Sequence, residues 1–287
     1  MNTENKKPED NAIGKGPEGP NGAKGPGRGP GGPMKTEIRK IGDGVYDIAG
    51  GFHQYLITGS EKALLIDTGM GLESPRRYIE QVTDLPVILV NTHGHPDHAG
   101  GNADFDPAYM CPADFDVFEK MATKEFRIED MGKHRDKAEL EKILMPTGPH
   151  PVAIEDGAEF DLGKRKVRVI YTPGHTHGSI SLFDEQTRYI FTGDNCMSGM
   201  TALHEWNASP ISVFEESLKK IRALNPERIY TGHDRTYNTT ELVDRQIELC
   251  EDVLNGAEGV FGNVRGYEAF LYEKNGTSIS YTEDKIC

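Results

Sequence analysis

The order of apolar and turn-forming segments in this 287-residue chain predicts an α/β fold, two sheets with helices packed outside. Three observations predict it. Short β-branched runs follow one another from residue 34. Segments with helix-start signals then alternate with further strand-like runs. No stretch carries the period of a coiled coil or a solenoid, nor the roughly 18 apolar residues of a membrane span.

The elements follow in order. TEIRKI, GVYDIAG, HQYLITG and KALLIDTG read as strands divided by Gly, Asp-Gly and Ser turn signals. Ser74 before Pro75 is a helix start, and the spacing predicts a helix until Pro86 forbids more. PVILVNTH is almost continuously apolar, as in a strand buried on both faces. Between 112 and 145, PADFDVFEKMA and KAELEKILM are helical, broken at Gly132 and closed by Pro146, so residues 109–150 read as a helical insertion. VAIEDGAEFDLG, KVRVIYTPG, SISLFDEQT and RYIFTGD form a second strand series. Ser209–Pro210 opens a helix with Ile211, Phe214, Leu218 and Ile221 on one face. RIYTGH is a strand, a helix is predicted near 239–255, and Asn275–Gly276 signals a hairpin that ends near residue 282.

Composition bounds the rest. Residues 14–33 hold nine glycines and five prolines, so residues 1–33 are expected to be a disordered tail and 34–287 the folded domain. Glycine opens four successive triplets from Gly16, too few for a stable collagen helix. The net charge is −14, and the first 34 residues contribute five Lys/Arg against four Asp/Glu, which leaves the body near −15. An acidic body argues against nucleic acid as the partner and leaves a small-molecule substrate open. The polar N-terminus resembles neither signal peptide nor membrane anchor, and the four cysteines are too scattered for a disulfide framework. The expectation is a cytoplasmic protein with no membrane partner, for which a homodimer is open.

Chemistry gathers at the strand ends. PVILVNTH runs into His93–Gly94–His95–Pro96–Asp97–His98, KVRVIY leads to His175, RYIFTG to Asp194 and RIYTG to His233. Five of the ten histidines occupy these positions. Imidazole nitrogens and carboxylate oxygens are the ligands a zinc-like ion takes at about 2.0–2.2 Å. In extended chain His93 and His95 share a face and can grip one ion together, while the turn after Pro96 aims Asp97 and His98 at a second.

This constellation resembles the metallo-β-lactamase superfamily, whose hallmark is His-x-His-x-Asp-His followed by a later His, an Asp and a final His. The resemblance covers residues 36–235 and includes Asp67 in LLIDTG. It implies a four-layer αββα sandwich. It implies that His93, His95 and His175 hold one metal, that Asp97, His98 and His233 hold another, that Asp194 bridges them, and that Asp67 orients the site without ligating. Two zinc ions are implied, with iron or manganese as alternatives. Asp194 stands where lactamases with a cysteine ligand would need Cys, and Cys196 two residues later is expected to be structural or pocket-lining. Neither a flavodoxin domain nor a nuclease-like basic surface is present.

The activity implied is hydrolysis of an ester, lactone, thioester or amide of a small molecule by a metal-bound hydroxide. Either Asp97 or Asp194 passes the proton to the leaving group. Lactones and thioesters are preferred over β-lactams. The alternatives are a mononuclear iron enzyme similar to persulfide dioxygenases and a metal-holding regulator without turnover. His53, Tyr109, His204, Trp206 and Arg235 are candidate substrate contacts, for each of which ordinary packing is the competing reading. Arg235 is the most pointed, since its guanidinium could hold a substrate carboxylate.

Overall fold

The strand patterns resolve into three sheets in a computed structural model that describes residues 36–287. The tail reading for residues 1–33 lies outside the described residues. In the first sheet β1 (Glu37–Gly42), β2 (Val45–Ala49), β3 (His53–Thr58), β4 (Ala63–Ile66), β5 (Val87–Val90), β6 (Ala108–Met110) and β7 (Val152–Ala153) lie side by side in chain order. Pairing is antiparallel through β4 and parallel from there on. Parallel neighbours need crossovers, and these carry α1 (Arg76–Ile79), α2 (Pro96–Ala99), α3 (Phe115–Met121), α4 (Lys124–Met131) and α5 (Lys137–Ile143).

The second sheet holds β8 (Glu159–Asp161), β9 (Lys166–Tyr171), β10 (Ile180–Asp184), β11 (Tyr189–Phe191) and β13 (Arg228–Tyr230), in the order β13-β11-β10-β9-β8. Both sheets are covered on two faces, which explains their continuous apolar runs. Leu64, Ile66 and Val90 of the first sheet meet Val167, Val169, Ile180, Leu182 and Phe191 of the second in one core. On the far face of the first sheet, Ala63, Leu65 and Leu89 pack with Ile79 of α1. On the far face of the second, Phe183, Ile190 and Ile229 pack under α6 (Ile211–Leu224) and α7 (Thr240–Leu254). The result is the αββα layering.

Two features depart from the sequence reading. A third sheet, ordered β12 (Met200–Leu203), β16 (Thr277–Tyr281), β15 (Tyr267–Lys274), β14 (Val260–Val264), adds Ile279 and Tyr281 to the core under α6 and α7. Asn275–Gly276 forms its β15–β16 turn, and β12 pairs parallel to β16. The helix predicted up to Pro86 stops at Ile79, because Val82 and Thr83 are stiff β-branched residues and the chain must extend before proline.

The segment 109–150 carries α3 to α5 and is fastened by Arg127, whose side chain is fully buried. Its guanidinium donates to the carbonyls of Met70 at 3.0 Å and Met145 at 2.8 Å. The loops beyond β5, β9, β11 and β13 meet at one end of the sandwich. There Ile180 N–H donates to Thr92 O at 2.9 Å, and Gly232 N–H to Gly193 O at 2.9 Å.

Candidate metal centre

His95 caps α2 at its N-terminus, and Pro96 takes the first helical position, where its missing N–H costs nothing. One turn of helix then turns Asp97 and His98 to the side of the cluster opposite His95. The structure brings together the seven residues singled out at the strand ends, in three groups: His93, His95 and His175; His93, His98 and Asp194; Asp97, His98 and His233. Within each group the ligand-type atoms lie within 4.8 Å of one another.

Hydrogen bonds behind the cluster fix which atom faces inward. His175 spends Nδ1 on Ala202 O at 2.9 Å, so its Nε2 carries the lone pair and lies 2.9 Å from His95 Nδ1. His98 spends Nδ1 on Asp67 Oδ2 at 2.8 Å, and Asp67 Oδ1 also accepts Thr92 N–H at 2.7 Å. Asp67 thus stands behind His98 and touches none of the inward atoms. Asp194 reaches both sides, with Oδ1 3.1 Å from His98 Nε2 and Oδ2 3.0 Å from His233 Nε2 and 3.7 Å from His175 Nε2. Asp97 Oδ2 lies 3.4 Å from His233 Nε2.

The donor set fits a divalent cation pair. His93 Nε2, His98 Nε2 and Asp194 Oδ1 are buried without a hydrogen-bond partner, a costly state for polar atoms unless something else satisfies them. Electrostatics divides the cluster. Burial and the neighbouring imidazoles keep His93 neutral, and burial with His175 pulls His95 down to about 3. Burial opposes charge on His98 and His233 too, but Asp194 with Asp67 raises the first, and Asp194 with Asp97 lifts the second to about 10. A cation held by these residues would have to displace those protons, which would couple its binding to proton release. Asp97 and Asp194 are held below the usual carboxylate range by His98 and His233, against the effect of burial.

Sequence reasoning missed the residues that act on the cluster from a distance in the chain. Asn207 lies 2.8 Å from His95 Nε2 and Glu205 Oε2 lies 3.7 Å from it. The atom of Asn207 that faces Nε2 is its Nδ2, which donates there. Asn195 Oδ1 accepts His175 N–H at 3.0 Å.

Of the candidate substrate contacts, Tyr109 is partly buried: β6 pairs it opposite Val90, and its ring packs on Phe160 at 5.8 Å. His53 is buried, with Nδ1 2.8 Å from Asp47 Oδ1. His204 is buried against Ser280 Oγ at 2.6 Å, and burial with His175 lowers it to about 4. Trp206 is 49% exposed between Glu205 and Asn207, with Lys120 Nζ 4.1 Å from its ring centre. Arg235 is exposed. Cys196 is fully buried under α6 and α7, where burial raises its thiol. No helix among the described residues is long and apolar enough to cross a membrane.

A four-layer sandwich with histidines and carboxylates at its strand ends defines an α/β protein built around a metal-type site. The sequence profile of the Metallo-beta-lactamase superfamily matches residues 53–233, and the chain belongs to that superfamily. It is 28% identical over 237 residues to the acyl-coenzyme A thioesterase MBLAC2 of Homo sapiens, covering 71% of this chain and 83% of that protein. It is 31% identical over 153 residues to the hydroxyacylglutathione hydrolase of Brucella ovis, covering 53% of this chain and 49% of that one. The crystal structure of TTHA1623 in a di-iron-bound form is similar with a TM-score of 0.51 at 27% identity, covering 68% of this chain and 93% of that chain.

Proposed function

We propose that this hydrolase of the metallo-beta-lactamase superfamily cleaves the acyl–sulfur bond of a small-molecule thioester at a dinuclear metal centre. The observation that carries the reading is the convergence of the unpartnered His93 Nε2, His98 Nε2 and Asp194 Oδ1 with the inward nitrogens of His95, His175 and His233. His93, His95 and His175 would hold one ion and Asp97, His98 and His233 the other, with Asp194 placed between the two groups. Two relatives support the bond type, since both of their names denote cleavage of an acyl–sulfur bond. The di-iron form of TTHA1623 supports two ions, and zinc or iron each suit these ligands.

When bound, the ions supply Lewis acidity and bring the pKa of the water they hold to about 7. The chain's own residues orient, and they move the proton. Asp67 and Asn207 fix the imidazole orientations of His98 and His95. The Asp194 side chain is 9% exposed, whereas that of Asp97 is 21% exposed, so Asp97 passes the proton to the departing sulfur. A thiol leaving group, with a pKa of about 8.5, needs little help from an acid.

The test loads the protein with zinc or iron and follows metal content, oxygen uptake and turnover of acyl-coenzyme A, acylglutathione, a lactone and a β-lactam. Thioesters turn over fastest, two ions bind per chain, and oxygen is not consumed. His95→Ala loses metal and turnover together. One iron per chain with oxygen consumption would overturn the reading in favour of a dioxygenase, and faster lactone cleavage would overturn the choice of bond.

A further inference from the structure

Asp114 is a fully buried carboxylate that lies outside the ligand groups and has no Lys, Arg or His ion-pair partner among the described residues. It ends the 3₁₀ turn Pro112–Asp114 that leads into α3. Its Oδ2 accepts Gly94 N–H at 2.8 Å and the Thr176 hydroxyl at 2.8 Å, and its Oδ1 accepts Gly178 N–H at 2.8 Å. Gly94 sits between His93 and His95, and Thr176 follows His175. One side chain therefore ties together the two loops that carry His93, His95 and His175. It touches neither the loop of Asp194 nor that of His233.

The contact depends on close backbone approach. A Cβ on Gly94 would lie 2.8 Å from Asp114 O, and one on Gly178 would lie 2.7 Å from Asp114 Cβ. Three donors arrive on two oxygens from two loops, a task for a carboxylate, since an amide accepts on one atom only. Leaving a negative charge without a cationic side chain is costly unless hydrogen bonds and a nearby cation compensate. Burial raises the pKa of this carboxyl, the hydrogen bonds from Gly94, Thr176 and Gly178 oppose that, and a cation held by these same loops would add to the compensation.

We infer that Asp114 is a positioning residue that sets the spacing of His93, His95 and His175, and so governs the affinity of that ion over the one held by Asp97, His98 and His233. The inference rests on the proposed dinuclear centre. Its test is a zinc titration of metal-stripped full-length protein against a chelator, with bound zinc counted per chain and the thermal midpoint recorded alongside. Asp114→Asn weakens one of the two zinc ions by about 10–100-fold, the usual effect of losing a partner behind the ligands, and leaves the other at its original affinity. Combining Asp114→Asn with His233→Ala weakens both. Should Asp114→Asn fold poorly, Thr176→Val removes only the hydroxyl donor and weakens the same ion by less, and Thr176→Ser restores it. Equal weakening of both ions in step with a lowered thermal midpoint would reduce Asp114 to ordinary structure and overturn the inference. Unchanged affinity for both would do the same while leaving the dinuclear reading standing. An original chain that takes up no zinc, iron or manganese would overturn both.

Discussion

A methyl group is too much at position 232. A Cβ on Gly232 would lie 2.4 Å from His98 Cε1 and 2.7 Å from Asp194 Oδ1, and the backbone there is not left-handed. Gly232→Ala therefore costs little as chain but displaces two residues of the cluster. We expect metal affinity to fall by more than about tenfold, on the scale of losing an orienting contact, with a thermal midpoint in metal-free protein within a few degrees of the original. Chelator titration and calorimetry check it, and full metal affinity would show that the cluster has more slack than these distances allow. Gly193 differs: its φ of +56° favours glycine, and a Cβ would meet Thr92 Oγ1 at 2.5 Å. This residue scale also marks the limit of what the sequence discloses. His93, His95, Asp97 and His98 stand together in six positions, so their chemistry was legible. Asn207 and Asp114 reach the cluster from 112 positions beyond His95 and 20 beyond Gly94, and an Asn or an Asp at a turn has many other uses.

Among the elements, α6 follows its sequence pattern most closely: Ile211, Phe214, Leu218 and Ile221 are all fully buried. The helix also does something the pattern does not disclose. Phe214 fills the space beside Gly174, where a Cβ would meet its ring at 2.4 Å, and Ser217 Oγ donates to Pro173 O at 2.7 Å. The loop that delivers His175 thus rests on α6. Phe214→Ala is expected to cost about 3–5 kcal/mol through lost burial and a cavity, and to loosen the His175 loop so that metal affinity falls as well. Denaturant unfolding and a zinc titration measure the two effects, and a stability loss with unchanged affinity would separate the helix from the loop. Other elements were less legible for physical reasons. β12 is four residues long, and its strand character comes from pairing with β16, some 78 positions away. The early end of α1 reflects local competition between helix and the extended chain before Pro86, which periodicity does not resolve.

At the scale of the whole molecule, the two large sheets are joined by apolar packing and, away from the metal-type cluster, by the buried ion pair of Arg165 and Asp184. Arg165, in the turn between β8 and β9, donates Nε and Nη2 to the two oxygens of Asp184 at 3.1 and 2.5 Å, with Asp184 fully buried. Asp184 ends β10 of the second sheet, while Arg165 Nη1 donates to Asp43 O at 2.9 Å and Thr58 O at 3.1 Å in the first. The guanidinium is thus shared between sheets, with every partner an oxygen. Bidentate geometry and buried partners make it worth more than a surface pair, but its net contribution is limited by the desolvation both charges suffer. Removing one partner is different, because it strands the other. Arg165→Met leaves a buried carboxylate without its cation, and a loss of about 3–5 kcal/mol is expected. In a chain of this size that corresponds to a fall of roughly 6–20 °C in thermal midpoint. Arg165→Met with Asp184→Leu removes both charges and recovers much of the loss. Since none of these contacts involves a residue of the metal cluster, zinc bound per folded chain stays the same throughout. A double variant no more stable than Arg165→Met would mean that the shared carbonyl contacts of Asp43 and Thr58, and not the stranded charge, hold the sheets in register.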